Sequence, residues 1–245
     1  MLNIQVGHSY FLSYDRKQWE RGKPYPPLAT IQVGALLRQM GHTASLFDAM
    51  LADGVEDYQA HLQATRPDVV VIYEDNFNFL TKMCLGRMRE AACRMIAEAR
   101  AHGARVIVAG SDASDHPDAF LAAGADAVLI GEGIAALVDL IERLDRDPQI
   151  GTAQWTAGIA GVATLVDGQT QLLRLGAQPP DPRLAGRRGI WSTSNAIARC
   201  GTNGTATSAS TWPRRAAVHS AATGAPSRSG ATTKSSAARR TSRRR

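Results

Sequence analysis

Aspartate and glutamate vanish from this 245-residue chain after Asp181. All 22 acidic residues lie at or before that position, together with 15 of the 28 basic ones, so the first stretch carries a formal −7 and the remaining 64 residues +13. The net charge of +6 therefore describes neither part. Cysteine is nearly as scarce. Cys84, Cys93 and Cys200 are an odd, widely spaced set that forms neither a disulfide framework nor a tetrahedral metal site and points to a reducing, cytoplasmic compartment. No run of about 18 apolar residues occurs, and the amino terminus opens directly into a strand pattern. Secretion and membrane insertion find no support.

Aromatic side chains are few in the basic region, which holds only Trp191 and Trp212. A nucleic-acid module would interleave its basic residues with aromatic platforms and an apolar period that builds a fold, so the excess of arginine does not by itself argue for nucleic acid. From Thr202 the chain reads Thr-Asn-Gly-Thr-Ala-Thr-Ser-Ala-Ser, and it ends in Arg243-Arg244-Arg245. Large apolar residues are too sparse there to offset chain entropy, which predicts a disordered basic tail.

What the first part does have is periodicity. Residues 2–6 alternate and stop at Gly7, as a strand ending in a loop that runs over 7–27. Pro26-Pro27 opens a helix with Leu28, Ile31, Ala35 and Leu36 on one face, and Gly41 stops it at C′. A second strand follows at 43–47, then an amphipathic stretch at 56–64. Val69-Val70-Val71-Ile72 is a continuous β-branched run, the mark of a parallel strand covered on both faces. A long helix over 80–102, a strand at 105–109, a helix at 117–123, a strand at 127–130 and a helix to about 144 complete the series. Two alternating runs around Asp167-Gly168 predict a hairpin over 158–174, standing as a small appended ribbon.

Five strands alternating with helices predict an α/β fold, a Rossmann or flavodoxin-like doubly wound parallel sheet. The domain expectation is a Rossmann-like unit at 1–148, a linker and hairpin at 149–178, and the tail at 179–245. In such sheets a ligand lies beyond the carboxyl ends of the strands, where strand order reverses. The candidate site residues are therefore His8, Ser9 and Tyr10 after the first strand, and Glu74 and Asn76 after the third. Gly110, Ser111 and Asp112 follow the fourth, and Gly131, Glu132 and Gly133 the fifth. Glycine at these exits lets backbone approach a large flat or phosphorylated ligand, although glycine after a strand is also ordinary turn chemistry. A phosphorylated receiver would need an acidic pair after the first strand and a lysine after the fifth, and neither is present. Gly131 to Ala136 matches a dinucleotide fingerprint but follows the last strand instead of the first.

The order of several short motifs carries a resemblance. Tyr25-Pro-Pro-Leu-Ala29, Gly41-His42, Phe47-Asp48, Tyr73-Glu-Asp-Asn-Phe-Asn78, Gly110-Ser-Asp112 and Ile130-Gly-Glu-Gly133 together resemble the N-terminal cobalamin-binding domain of cobalamin-dependent radical S-adenosylmethionine enzymes, over about residues 1–175. The resemblance implies cobalamin as a small-molecule cofactor, with its corrin ring across the strand ends and its nucleotide tail in the sheet edge. It offers Glu74, Asn76, Ser111 and Asp112 as polar contacts to corrin amides or tail; the alternative role for Ser111 and Asp112 is helix capping. The Asp-x-His-x-x-Gly pattern that ligates cobalt in the mutases is missing, since neither His8 nor His116 has Asp two residues before it. A bound cobalamin is thus expected to lack a lower histidine ligand, with His8 either a corrin neighbour or a plain loop histidine.

The same resemblance implies a following barrel whose [4Fe-4S] cluster, held by Cys-x-x-x-Cys-x-x-Cys, works with S-adenosylmethionine. After Asp181 only Cys200 remains, so cluster and S-adenosylmethionine belong to an intact parent, and no catalytic residue is assigned in this chain. The genetic code offers a reason. Combining each codon's last base with the first two of the next, Trp212 to Gly230 permits Met-Ala-Thr-Thr-Arg-Gly-Cys-Pro-Phe-Arg-Cys-Asn-Trp-Cys-Ala-Lys-Pro-Ile-Trp. That contains the cluster spacing, and it suggests a frameshift between about Pro182 and Gly189. Two functions from different classes remain. One is a cobalamin-binding module severed from a radical enzyme. The other is a non-enzymatic flavodoxin-like module whose basic arm meets an acidic partner. Oligomeric state has no signature in the sequence.

Overall fold

The structure, a computed structural model, describes residues 1–74 and 84–173. Asn76, Cys200, the first residues of the expected helix at 80–102 and the whole basic tail lie outside the described residues. Seven strands form one sheet: β1 (Asn3–Gly7), β2 (Thr43–Phe47), β3 (Val69–Tyr73), β4 (Arg105–Ala109), β5 (Ala127–Leu129), β6 (Val162–Val166) and β7 (Gln169–Leu172). Their order is β2-β1-β3-β4-β5-β6-β7. The pairs from β2 to β5 are parallel, while β6 runs antiparallel to β5 and β7 antiparallel to β6. The doubly wound α/β fold is therefore present. The hairpin differs from expectation, because it does not stand apart as a ribbon but extends the same sheet. Its turn residues Asp167 and Gly168 have φ of +51° and +75°, the geometry of a two-residue turn whose twist matches the flanking strands.

Helices cover both faces. On one, α2 (Leu28–Gln39) and α7 (Ile134–Arg146) seal Ile4, Val6, Val69 and Val71 under Val33, Leu37, Leu137 and Ile141. On the other, α3 (Val55–Thr65) and α4 (Leu85–Ala101) set Tyr58, Leu62, Ala92, Met95 and Ile96 against Val70, Ile72, Val106 and Val108. Every residue of β3 is buried, which is why its sequence is apolar without alternation. Gly41 takes φ +93° after α2, as its C′ position suggested.

The stretch 7–27 is more ordered than a loop. It contains a short 3-10 turn at Leu12–Tyr14 and α1 (Arg16–Arg21). Asp15 caps α1 by accepting from the Gln18 N–H at 3.1 Å, and Gly22 ends it in the left-handed region. Asp-x-x-Gln is a variant of the capping box, so the signal lay in the sequence. Gly110 leads not into an irregular loop but into α5 (Ser111–Asp115), followed at once by α6 (Pro117–Ala122). A further short helix, α8 (Thr152–Thr156), buries Trp155, whose indole N–H donates to the Leu140 carbonyl at 2.8 Å.

Candidate functional site at the strand exits

Strand order reverses between β1 and β3, whose neighbours lie on opposite sides. The chain leaves β1 through His8, Ser9 and Tyr10, which are 1%, 2% and 2% exposed. Three contacts fix this turn. The Glu74 carboxylate, just past β3, accepts the Ser9 N–H at 2.8 Å. His8 Nε2 lies 3.0 Å from Asp48 Oδ1, just past β2. The Tyr10 N–H points at His8 Nδ1 at 3.2 Å. A ring nitrogen that receives an N–H must present a lone pair, so the His8 proton sits on Nε2 and is donated to Asp48. Both ring nitrogens of His8 are therefore engaged.

Tyr10 points away from the rim. Its hydroxyl donates to Asp15 at 2.9 Å, and its ring packs with Leu12, Met50 and Met88. Burial, then Asp15, pushes the phenol pKa upward. Asp48 was not among the sequence candidates. It accepts from both His8 and the Met50 N–H at 3.0 Å, and Phe47-Asp48 stood among the motifs of the resemblance without a role for the carboxylate.

Glu74 is the centre of the rim. Its backbone N–H donates to Ala109 at 2.9 Å, and a Cβ placed on Gly110 would fall 2.7 Å from the Glu74 Cβ. The Gly110 backbone, at φ +150°, thus lies flat against the carboxylate stem, which only glycine permits. Burial pushes the Glu74 carboxyl upward, His8 and the Ser9 N–H pull it down less, and Asp112 adds to the rise. A carboxyl whose pKa rises on folding weakens the fold above its folded-state pKa, and the penalty disappears as pH falls below the unfolded value. Glu74→Gln is therefore expected to raise the melting temperature near pH 8 and to lose that advantage on approach to about pH 4. Parallel thermal melts across this range check the sign.

Ser111 and Asp112 are the first two residues inside α5, whose N-cap is Gly110 with no side-chain cap hydrogen bond. Asp112 is tied to Arg89 by two contacts of 2.8 and 2.5 Å, a bidentate pair that occupies both carboxylate oxygens. The β5 exit is the most open part. Gly131 and Glu132 are exposed, and nothing lies within 4 Å of where a Gly131 side chain would begin. Ser114 Oγ donates to the Gly110 carbonyl at 2.9 Å and accepts the Gly131 N–H at 3.0 Å, linking the exits of β4 and β5. Tyr73 donates to the Glu132 carbonyl at 2.6 Å. Its phenol is pushed up to about 12, by burial first and Glu132 second.

Opposite this turn, the start of α2 completes the rim. Thr30 Oγ1 donates to the Tyr73 carbonyl at 2.7 Å, and Leu28, two residues earlier, is 42% exposed. The strand exits thus carry an apolar side chain at the start of α2, open glycine backbone after β5 and a carboxylate after β3. Among the described residues no group of three or more His, Cys, Asp or Glu is placed to hold a metal ion, and no helix is long and apolar enough to cross a membrane.

No family model and no curated protein matches the chain. Among solved structures, the cobalamin-dependent S-adenosylmethionine radical enzyme OxsB, with aqua-cobalamin and S-adenosylmethionine bound, superposes with a TM-score of 0.52 at 13% identity over 73% of this chain. The same enzyme with aqua-cobalamin alone gives 0.51 at 13% identity over 72%. In each comparison this chain spans 23% of the length of the OxsB chain. At this identity the shared property is the fold, a mostly parallel α/β sheet arranged like the corresponding portion of OxsB.

Proposed function

We propose that residues 1–173 form a cobalamin-binding module that receives the corrin at the strand reversal between β1 and β3. The observation that carries this is the joint one of a fold shared with a cobalamin-bound enzyme and a rim of matching chemistry. Gly131 leaves backbone open, Leu28 offers an apolar edge, and the Glu74 carboxylate, which accepts the Ser9 N–H, would be the acceptor for an amide N–H. Because His8 has both nitrogens engaged, the module would hold cobalamin by its ring and side-chain amides, without an imidazole on cobalt. Cobalamin supplies alkyl-transfer and radical chemistry when bound; the protein orients it and limits water access. Ser9, Gly110, Gly133 and Glu132 act through backbone, while Asn76 would extend the same rim beyond the described residues.

The tail fits the same reading as a radical domain read out of frame, with the shifted Cys-x-x-x-Cys-x-x-Cys and the loss of acids after Asp181 in its support. In the intact parent that domain would hold the [4Fe-4S] cluster and S-adenosylmethionine. Resequencing the codons for residues 180–190 tests it: an insertion or deletion restores the cysteine frame, and an unbroken frame removes the idea.

Titrating the full chain with hydroxocobalamin near neutral pH tests the module itself. A corrin spectral change saturating with a dissociation constant below about 100 µM is expected, equivalent to roughly 5–6 kcal/mol. Affinity for a polyanion that falls with salt, with no corrin response, would favour the basic-arm module instead.

A further inference from the structure

We propose that β1, β2 and α3 enclose an internal water site, which completes a buried cluster of polar side chains led by Gln5. The sequence marks the position. Helices cover both faces of the sheet around β1, yet Gln5 stands there between Ile4 and Val6, and it is 0% exposed. Its register partners are Ser45 of β2 and Val70 of β3. Its side chain therefore lies on the face sealed by α3, where Val70 and Tyr58 pack. Tyr58, also 0% exposed, meets Phe47 edge-on with ring centroids 5.0 Å apart, and His61, one turn further along α3, lies 5.5 Å from the same ring. A Cβ on Gly7 would fall 3.2 Å from Gln5 Nε2 and 3.4 Å from the Phe47 Cβ, so the amide sits just behind the end of β1.

Five polar atoms here are shut off from solvent and have no hydrogen-bond partner among the described residues: Gln5 Nε2 and Oε1, Ser45 Oγ, the Tyr58 hydroxyl and His61 Nε2. The Tyr58 hydroxyl is close enough to feel the Gln5 amide, yet the two make no hydrogen bond. Buried polar groups are almost always paired, either with protein or with ordered water. The chemistry of the set selects water over an ion. Burial pushes the His61 imidazole down and the Tyr58 phenol up, so both are uncharged near neutral pH, as the amide and the serine hydroxyl are. No member carries a charge that would hold an ion. The cluster also mixes groups that only donate, such as Gln5 Nε2, with groups that only accept, such as Gln5 Oε1. A molecule that both donates and accepts satisfies the two kinds together, and an internal water does so with about two to four bonds.

The experiment uses the full chain without ligand. Oxygen-17 relaxation dispersion of the solvent counts long-lived internal waters and is blind to the exchange of hydroxyl protons. It is compared between the unaltered chain and the double variant Gln5→Leu/Tyr58→Phe, which replaces the two fully buried members by apolar groups of similar size. The dispersion amplitude is expected to fall by the equivalent of at least one water per chain, with circular dichroism showing that the variant is folded. An unchanged amplitude in the folded variant overturns the site, and that is also the result if Gln5 and Tyr58 bond directly to each other. Should the double variant not fold, Tyr58→Phe alone decides. Gln5, Ser45 and His61 remain as partners there, so the Gln5 side-chain amide protons are expected to show a cross-relaxation signal to water of the sign that marks a long-lived contact. Absence of that signal overturns the site. Neither readout involves a corrin, so failure of the water site and failure of the cobalamin reading are told apart.

Discussion

Gly110→Val is expected to destabilise the chain by about 2–6 kcal/mol and to abolish cobalamin binding. Two costs add. The backbone there has φ +150°, a region that side-chain-bearing residues reach only with about 1–3 kcal/mol of strain. A Cβ would also meet the Glu74 Cβ at 2.7 Å, and overpacking of that kind adds about 1–3 kcal/mol. Relief comes by pushing Glu74 off the Ser9 N–H, which disturbs the rim proposed to receive the ligand. Gly131→Ala is the internal comparison. Its φ of +73° is also left-handed, but nothing lies within 4 Å of the added carbon, so its cost is about 1–2 kcal/mol of backbone strain alone. Urea denaturation of both variants, with corrin titration, checks the contrast. Equal losses at the two glycines would show that the contact with Glu74 contributes nothing.

Asp126→Ala should cost as much, from the opposite end of the sheet. Asp126 lies just before β5, its side chain 4% exposed. It accepts from Arg100 at 2.9 Å, Arg105 at 3.3 Å, Thr152 at 3.2 Å and the Val106 N–H at 2.8 Å. Its loss strands the buried Val106 N–H and removes the carboxylate partner of Arg105, 23% exposed, and of Arg100, 42% exposed, a cost of about 3 kcal/mol. Against a total stability of about 5–15 kcal/mol, that leaves a marginal fold. Arg105 also lies over the Trp155 ring, 5.5 Å from its centroid, so α8 should loosen with it. Thermal melts and near-ultraviolet dichroism of Trp155 report both effects. Because this cluster is remote from the strand exits, the fraction that stays folded should bind cobalamin with unchanged affinity. By contrast, the Arg16–Glu20 pair, with side chains 90% and 63% exposed, can be removed with no measurable shift.

The parallel part of the fold was legible because its signals are local and redundant. The Val69–Tyr73 run marked a buried strand, and Gly41 and Gly103 stopped the helices before β2 and β4. The joining of the hairpin to the sheet was not legible, since pairing of β6 with β5 is a contact between segments more than 30 residues apart. Alternation in 162–172 specifies a hairpin but not its neighbour. At the site, the sequence placed His8, Glu74, Gly110 and Gly131 at the correct sheet edge because strand ends alone determine that. It did not reveal that Asp48 holds His8 or that the Tyr10 side chain turns inward to Asp15, since both look as polar as their neighbours in one dimension. Their roles depend on which way the turn after β1 folds, and that is set by Glu74 and His8 from across the sheet.

Two reversals of direction restore the original heading. β5 climbs to the level of Ile130, β6 descends, and β7 climbs again, so that the Leu173 carbonyl accepts the Gly161 N–H at 2.8 Å while Gly161 in turn accepts from Ile130. The polypeptide passes residue 173 at the same altitude as the open glycine turn of β5. A single added strand would have handed the chain to the underside of the sheet, about 17 Å away for the five residues of β6 at about 3.4 Å each. With the pair, the described chain reaches residue 173 at the same end of the sheet as the exits of the parallel strands.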